Sequence, residues 1–447
     1  MTATHMGSRE TWATRLGFIL AAIGSAVGLG NIWRFPFITA ESGGAAFLVV
    51  YLLLVAFIGL PVMLVEFVIG RESKQNVVDA FPAIGYGNWK AIGVIGSITG
   101  FIILSYYSVV GGWVIQYIFG SLTGAYTGSA EAYFGQVSSG LNTAGFDLLF
   151  ILLVAGVVGF GVRDGLERAA KLLVPSVVGL MLFLAVYAAT LPGAAEGYAY
   201  YLSPNLATLR SDALAILPAA AGQAFFTLST GVGVMITYGS YLDEDRSLLR
   251  DGFVIMLADT CIAVLAGLIV FPVFFAQGIA PGDGGIGATF VSLAGAFTTL
   301  PGGRLVGTVF FVILLLAALT SAFSILEVIV SFIIDTTGSA RSYATAGSVA
   351  GIFIVGLPTA FDLQYLTVYD AIANNVLLLL GGLLLALFGG WVYATDAITE
   401  FSKGLTSPQF IPKLWIWVLR VPVVVVLSYV LYQNIVDVIQ TIQTSLL

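Results

Sequence analysis

The stretch that most constrains this chain is Gly24-Ser25-Ala26-Val27-Gly28-Leu29-Gly30-Asn31, with Ile32-Trp33-Arg34-Phe35-Pro36 behind it. It falls inside an apolar run long enough to cross a membrane, yet three glycines, an Asn and an Arg make a poor uninterrupted helix. Each interior Gly costs about 1 kcal/mol relative to Ala. A helix that unwinds over Val27 to Asn31 leaves backbone N–H and C=O groups without partners at mid-membrane depth. Each such group costs roughly several kcal/mol unless something binds it. Freed carbonyls suit a small cation, and the N–H groups that open the second half-helix suit a carboxylate. The competing reading is a glycine-lined packing face. It accounts for the glycines but not for Asn31 and Arg34, since polar groups within a membrane are functional by default.

Composition places that stretch in context. Of 447 residues, 59% are hydrophobic and 9% charged, against about 25% charged in ordinary globular chains. The chain reads as a polytopic membrane protein. Apolar runs able to cross a core of roughly 30 Å recur about eleven times between residues 16 and 443. They leave no room for an extramembrane domain, so residues 1–447 read as one transmembrane unit. Lys and Arg set its orientation. Arg9, Arg15, Arg71, Lys74, Lys90, Arg163, Arg168, Lys171, Arg246, Arg250, Arg341, Lys403 and Lys413 fall on one side, Arg210 and Arg304 on the other. The expectation is a cell-membrane protein with a cytoplasmic N-terminus and, after an odd number of spans, an extracytoplasmic C-terminus. The start of the chain lacks the short apolar core and small-residue cleavage site of a signal peptide.

The sequence also excludes chemistries. One cysteine, Cys261, and one histidine, His5, leave no disulfide framework, thiolate cluster, zinc or haem site, or histidine-based triad. None of the five lysines follows a glycine, so there is no phosphate-binding loop of the Walker type. The net charge of −7 gives no basic patch for nucleic acid. What remains is secondary transport, a channel or a non-transporting membrane subunit, and no enzyme.

A second interrupted run points to transport. Gln223-Ala224-Phe225-Phe226-Thr227-Leu228-Ser229-Thr230-Gly231-Val232-Gly233 lies in the sixth span, and broken helices at matching places in two halves mark inverted repeats. Spans one to five, within residues 12–190, and six to ten, within 213–395, then form the repeats. The eleventh, 414–443, stands outside them.

At these stretches the sequence resembles the neurotransmitter:sodium symporters, in particular their bacterial amino-acid transporters. The resemblance rests on Trp12-Ala13-Thr14-Arg15-Leu16-Gly17, Gly28-Leu29-Gly30-Asn31 with Arg34-Phe35-Pro36, and Glu41-Ser42-Gly43-Gly44. It continues through Gly70-Arg71, Gly222-Gln223 with Phe226-Thr227-Leu228-Ser229, and Thr320-Ser321, all in order. It implies an all-α fold of the leucine-transporter kind, a five-plus-five inverted repeat with helices 1 and 6 broken. It also implies symport of sodium with a small amino-acid substrate by alternating access.

The resemblance further assigns residues. A first sodium site would take Ala26, Asn31, Thr227 and, where many relatives have Asn, Asp259. A second would take the carbonyls of Gly24, Val27 and Ala317 and the hydroxyls of Thr320 and Ser321. Both are all-oxygen sets, as a hard cation wants, although Thr and Ser hydroxyls also bond back to their own helices. The substrate carboxylate would meet Leu29, Gly30 and Tyr107, and its ammonium Ala26, Phe226, Thr227 and Ser229. Its side chain would face Ile103, Phe226, Val232, Ser321 and Ile325. That wall suits a hydrophobic side chain, since a charged one would be buried unpaired. Arg34, Gln223 and Asp370 would close the extracellular path, and Arg9, Trp12, Tyr241 and Asp335 the cytoplasmic one. Asp259 beside the first ion would take over the charge balance that chloride supplies in some relatives, so no chloride is expected. Glu66 and Glu327 read first as hydrogen-bond partners between helices. The alternatives left open are another amine or an osmolyte as substrate, a non-transporting sensor or channel, and proton coupling through Asp259 or Glu327.

Overall fold

The computed structural model describes residues 10–278, 285–405 and 410–446, and Arg9 lies outside them. Among the described residues there is no strand. Nine helices are long and apolar enough to cross a membrane, and a bent pair makes ten. In chain order, span 1 is the pair Arg15–Ala26 and Gly30–Glu41, meeting at 47°. Spans 2 to 5 are Ala45–Ser73, Gly87–Thr123, Leu141–Val158 and Val162–Ala189. Span 6 is Leu206–Thr227 followed by Val234–Gly239. It stands apart from the ten because its first half carries Arg210, Asp212 and Gln223 and its second is a six-residue piece. Spans 7 to 11 are Leu248–Ala276, Gly303–Thr337, Arg341–Phe361, Leu363–Val392 and Phe410–Gln443. The expectation of about eleven spans thus corresponds to ten plus this interrupted one.

Both interruptions have local causes. Val27 turns extended (φ −77°, ψ 100°) and ends the first half of span 1. A Cβ on Gly28 would lie 2.4 Å from Ser321 Oγ, and one on Gly30 would lie 2.6 Å from the Phe226 ring, so the segment must be nearly bare to enter the centre. The second half opens with a π-turn, Gly30–Arg34, and Pro36 sits in the first turn of Phe35–Glu41, where a missing N–H loses nothing. In span 6 the chain reverses through Ser229, Gly231 and Gly233, all at positive φ, where a left-handed backbone strains most side chains but suits glycine.

Burial sorts the spans into inner and outer. Span 8 buries 72% of its most apolar stretch and spans 2 and 3 bury 67%, against 28% for span 5 and 33% for span 11. Spans 2, 3 and 8 are therefore the inner ones, while Leu152, Leu172, Phe183 and Val425 face outward, as lipid requires. Arg15, Arg71, Arg246 and Arg341 mark one end of the bundle, called here the basic end; Glu41, Arg210 and Arg304 mark the far end.

Candidate functional site

The two breaks meet at a small closed cavity of about 30 Å³. Ala26, Gly30, Ile103, Tyr107, Phe226, Ser229, Val232, Ser321 and Ile325 line it, joined by Gly28 and by Leu378 from span 10. The sequence reading anticipated neither Gly28 as a wall nor Leu378. Nothing distinguishes Leu378 among the leucines of span 10, whereas Gly28 stood inside the motif already singled out.

The polar pole of this cavity is made by the opened backbone of span 1. The Leu29 N–H donates to Tyr107 Oη at 3.2 Å, which places a hydroxyl and a backbone donor side by side, as carboxylate recognition requires. At the other pole Ser229 Oγ and Ser321 Oγ both donate to the Ser25 carbonyl, at 2.9 and 2.8 Å. Beyond this the walls are aliphatic and aromatic.

Next to the cavity lies a buried oxygen cluster. Asp259 is 0% exposed; its Oδ1 accepts from Asn31 Nδ2 at 2.7 Å, and Thr227 Oγ1 lies 3.0 Å from Oδ2. Asn31 Nδ2 also reaches Thr227 Oγ1 at 2.7 Å, while Asn31 Oδ1 accepts from the Gly28 N–H at 3.1 Å. Spans 1, 6 and 7 thus bring Asn31, Thr227 and Asp259 together. For Asn31 to offer its oxygen to a cation beside Asp259, its amide must turn over. No group of three His, Cys, Asp or Glu side chains occurs among the described residues, so the donor set is one carboxylate with neutral oxygens. That set fits a monovalent hard cation better than a transition metal.

The second predicted ion set is also assembled. Thr320 Oγ1 lies 3.4 Å from the Val27 carbonyl and 3.0 Å from that of Ala317, and Gly24 packs against the Thr320 side chain. Thr320 bonds back to its own helix in part, whereas Ser321 reaches across to span 1.

Toward the far end a second cavity, about 210 Å³, begins where Tyr107 and Phe226 close over the first. Arg34 Nη1 donates to Gln223 Oε1 at 3.0 Å, Gln223 Nε2 donates to the Gly30 carbonyl at 2.9 Å, and the guanidinium lies 5.2 Å above the Phe226 ring. Asp370 accepts instead from Tyr106 Oη at 3.0 Å and Asn374 Nδ2 at 2.5 Å. Arg34 and Asp370 both line this cavity. Among the described residues they form no ion pair, so the expected closing pair stands open here while the aromatic lid is shut.

The basic end is tied by aromatic, hydrogen-bond and ion-pair contacts together. Trp12 Nε1 donates to the Tyr238 carbonyl at 3.1 Å, and the indole packs edge-on against Phe18, Tyr238 and Tyr241. Tyr241 Oη donates to Glu327 Oε1 at 2.9 Å, and Arg341 Nη1 to Glu327 Oε2 at 2.6 Å. Asp335 accepts from Asn76 Nδ2 at 3.1 Å. Glu167 of span 5 accepts from the Ala13 N–H at 2.7 Å and Thr14 Oγ1 at 2.8 Å, and Arg15 pairs with Asp251 at 2.9 Å. Glu327–Arg341, Glu167 and Arg15–Asp251 were not read as gate elements from sequence, because partners many residues apart leave no local pattern. Glu66 accepts from the N–H groups of Gly231 and Met235, at 2.6 and 3.1 Å, and so satisfies the backbone freed by the span 6 break.

Comparison with known proteins agrees with this arrangement. The description "Sodium:neurotransmitter symporter family" matches residues 9–133 and 131–444. The uncharacterized sodium-dependent transporter YhdH of Bacillus subtilis (strain 168) is 34% identical over 94% of this chain and 96% of its own. The uncharacterized sodium-dependent transporter MJ1319 of Methanocaldococcus jannaschii is 36% identical over 92% and 86%. The crystal structure of MhsT in complex with L-phenylalanine superposes with a TM-score of 0.87 at 39% identity, covering 95% of this chain and 99% of that one. These similar proteins are transporters, not enzymes. This chain therefore belongs to the sodium:neurotransmitter symporter family as a multi-pass, sodium-dependent symporter.

Proposed function

We propose that this protein couples inward sodium movement to the uptake of hydrophobic L-amino acids by alternating access, without chloride. The observation that carries the reading is the pairing of an apolar cavity, headed by the Leu29 N–H and Tyr107 Oη, with the buried Asn31–Thr227–Asp259 cluster beside it. The amino acid's carboxylate would take the first pole and its ammonium the carbonyl side near Ser229. Its side chain would lie among Ile103, Val232 and Ile325. The bound L-phenylalanine of MhsT supports an aliphatic or aromatic side chain here.

Two sodium ions are assigned. One would sit among Ala26, Asn31, Thr227 and Asp259, and the other among Gly24, Val27, Ala317, Thr320 and Ser321. Asp259 would supply the negative charge beside the first ion, and Ala263, one turn on, has no hydroxyl for an anion. Two sodium ions carried with a zwitterion move two charges, worth about 4.6 kcal/mol per 100 mV, or more than about three decades of accumulation. Ion and substrate would share Ala26 and Thr227, so each would preform the other's site, and linkage makes that reciprocal. Arg34, Gln223 and Asp370 would form the outer gate. Arg9, Trp12, Tyr241 and Asp335, reinforced by Glu327–Arg341, would form the inner one. The basic end would face the cytoplasm, and spans 1–5 and 6–10 would be the inverted repeats.

The test is equilibrium binding of a panel of L-amino acids to the purified protein in sodium chloride, sodium gluconate and potassium chloride. Tight binding of Leu, Met or an aromatic amino acid in both sodium salts and none in potassium is expected. Equal binding in potassium would remove sodium coupling, and tighter binding of decarboxylated analogues would replace amino acids by amines.

A further inference from the structure

Among the described residues, the buried acids of this bundle have partners, with one exception. Glu66 takes two backbone N–H groups, Glu327 takes Arg341 and Tyr241, and Glu167 takes Thr14 and Lys171. Asp251 takes Arg15 and Arg246, and Asp259 takes Asn31 and Thr227. Asp147, in the second turn of span 4, is 0% exposed, and neither of its carboxyl oxygens has a hydrogen-bond partner of full geometry.

The seam around it is closed to water. A Cβ on Gly112 of span 3 would lie 2.8 Å from the Asp147 nitrogen, and one on Gly111 would lie 2.5 Å from the Phe150 ring. Spans 3 and 4 therefore touch at their backbones. Ser108, one turn from Gly112 on the same face of span 3, is the polar side chain close enough to act on the carboxyl, although neither oxygen has a hydrogen bond of full geometry. Its hydroxyl stands 3.4 Å from the Ser105 carbonyl, a long contact that leaves it free to turn.

The other elements packed on span 4 are spans 8 and 9 and the first turn of span 5, and none brings a charge to Asp147. Glu327 of span 8 and Arg341 of span 9 are turned to each other, Glu167 of span 5 to Thr14 and Lys171, and Tyr107 of span 3 to Leu29. A lone carboxylate in such a place is far costlier than a neutral acid, which needs a single acceptor. A metal cation would need more oxygens than one hydroxyl provides.

We propose that Asp147 is a proton-binding site. Its carboxyl keeps a proton while spans 3 and 4 are in this contact, and a turn of the Ser108 hydroxyl lets that O–H form a hydrogen bond to Ser108 Oγ. When the seam opens the acid ionises, its O–H bond breaking and the proton passing to water. Thr143, one turn along span 4, and the Asn142–Gln116 hydrogen bond beyond it lie along the same seam and lead to the far end, where that proton exchanges. Span 3 also carries Ile103 and Tyr107 of the central cavity, so proton binding and substrate occlusion favour each other. This last step rests on the amino-acid reading; the proton site does not.

The test is infrared spectroscopy of the purified full chain, as a wild-type minus Asp147→Asn difference in water and in deuterium oxide. A neutral carboxylic-acid carbonyl band, shifted by deuterium, is expected in the wild type. It should be present in the wild type at neutral pH, give way to carboxylate bands only as the pH is raised, and be absent from the variant at every pH. Loss of carboxylate bands in its place, or no acid band lost, overturns the proposal. Should Asp147→Asn fail to fold, Ser108→Ala decides. Without its acceptor the acid band moves to higher frequency, and an unmoved band overturns the assignment. Linkage is read separately from amino-acid binding. Above the pH at which the band disappears, wild-type affinity falls about tenfold per pH unit, and that of Asp147→Asn does not. Affinity that falls equally in both overturns the linkage. Absence of any amino-acid binding, with the band present, counts against the proposed function alone.

Discussion

Asp259→Asn removes one charge from the centre of the protein while keeping the size and one oxygen of the side chain. Asp259 is 0% exposed and contacts only neutral polar partners, Asn31 and Thr227, so nothing nearby replaces that charge. At an effective dielectric near 20, unit charges about 4 Å apart attract by roughly 4 kcal/mol. A sodium ion seated against Asp259 therefore owes up to about three decades of affinity to the carboxylate. The carboxamide oxygen remains a ligand, and the variant no longer buries an unpaired charge when the ion leaves, so the net loss is smaller. The expected rise in the sodium concentration for half-maximal amino-acid binding is about tenfold to a few hundredfold. Chloride, but not gluconate, should recover part of it. The assay is tracer binding titrated with sodium in each anion, beside a thermal melt without sodium. In that melt the variant should be no less stable, because removing a lone buried charge relieves the fold. Identical sodium dependence of variant and wild type, at low and at saturating sodium, would refute the placement of an ion beside Asp259.

Further outcomes follow from other contacts. Gly30→Ala puts a Cβ 2.6 Å from the Phe226 ring, so it should abolish amino-acid binding while circular dichroism stays that of the wild type. Val232→Phe fills the cavity between Ile103 and Ile325. Competition binding should show aromatic amino acids losing at least about tenfold, roughly the 1–3 kcal/mol of a mis-sized apolar pocket, with small aliphatic ones losing less. Glu66→Ala strips the acceptor from the N–H groups of Gly231 and Met235 at about 1–3 kcal/mol for each orphaned donor. A clear drop in melting temperature is expected, and an unchanged melt would mean that the span 6 break needs no such acceptor.

Much of this architecture was legible because the breaks need residues that are conspicuous in apolar sequence. Gly28 and Gly30 are required by the approach of Ser321 and Phe226, and Asn31 and Arg34 stand out against leucine and valine. The ordered motifs singled out Thr227, Thr320 and Ser321, and the resemblance added Asp259 from the seventh span. Partnerships were less legible. Glu327 and Arg341 belong to different spans, and Leu378 enters the cavity from a run in which every neighbour is equally apolar. Asp147 escaped notice because its isolation is a property of the facing surface, which no spacing along span 4 encodes. The separation of Arg34 from Asp370 was not legible either, since it describes the conformation adopted rather than the chain.

That conformation is asymmetric, and the asymmetry says how ions would act on it. The far end is shut by a ring lid and one Arg34–Gln223 hydrogen bond, with a cavity above the lid that Arg34 and Asp370 both line. At the basic end the first half of span 1 is held by Trp12, by Glu167 across Ala13 and Thr14, and by Arg15–Asp251. Arg15 is half exposed, so its pair with Asp251 adds little, and the hold is shared among several modest contacts rather than one deep lock. At its inner tip the same half-helix meets span 8 through Val27 with Thr320 and Ser25 with Ser321. On the proposed reading the second sodium ion binds across that junction, so its presence ties the tip of the half-helix to span 8 and its departure frees it. On the same reading the first ion would bind across Asn31, Thr227 and Asp259, on the other side of the break, where it would meet the substrate carboxylate. One ion would then govern whether substrate is held and the other whether the basic end opens. A carrier whose two ions act on opposite halves of one broken helix can tie release of cargo to release of sodium with no rigid link between them.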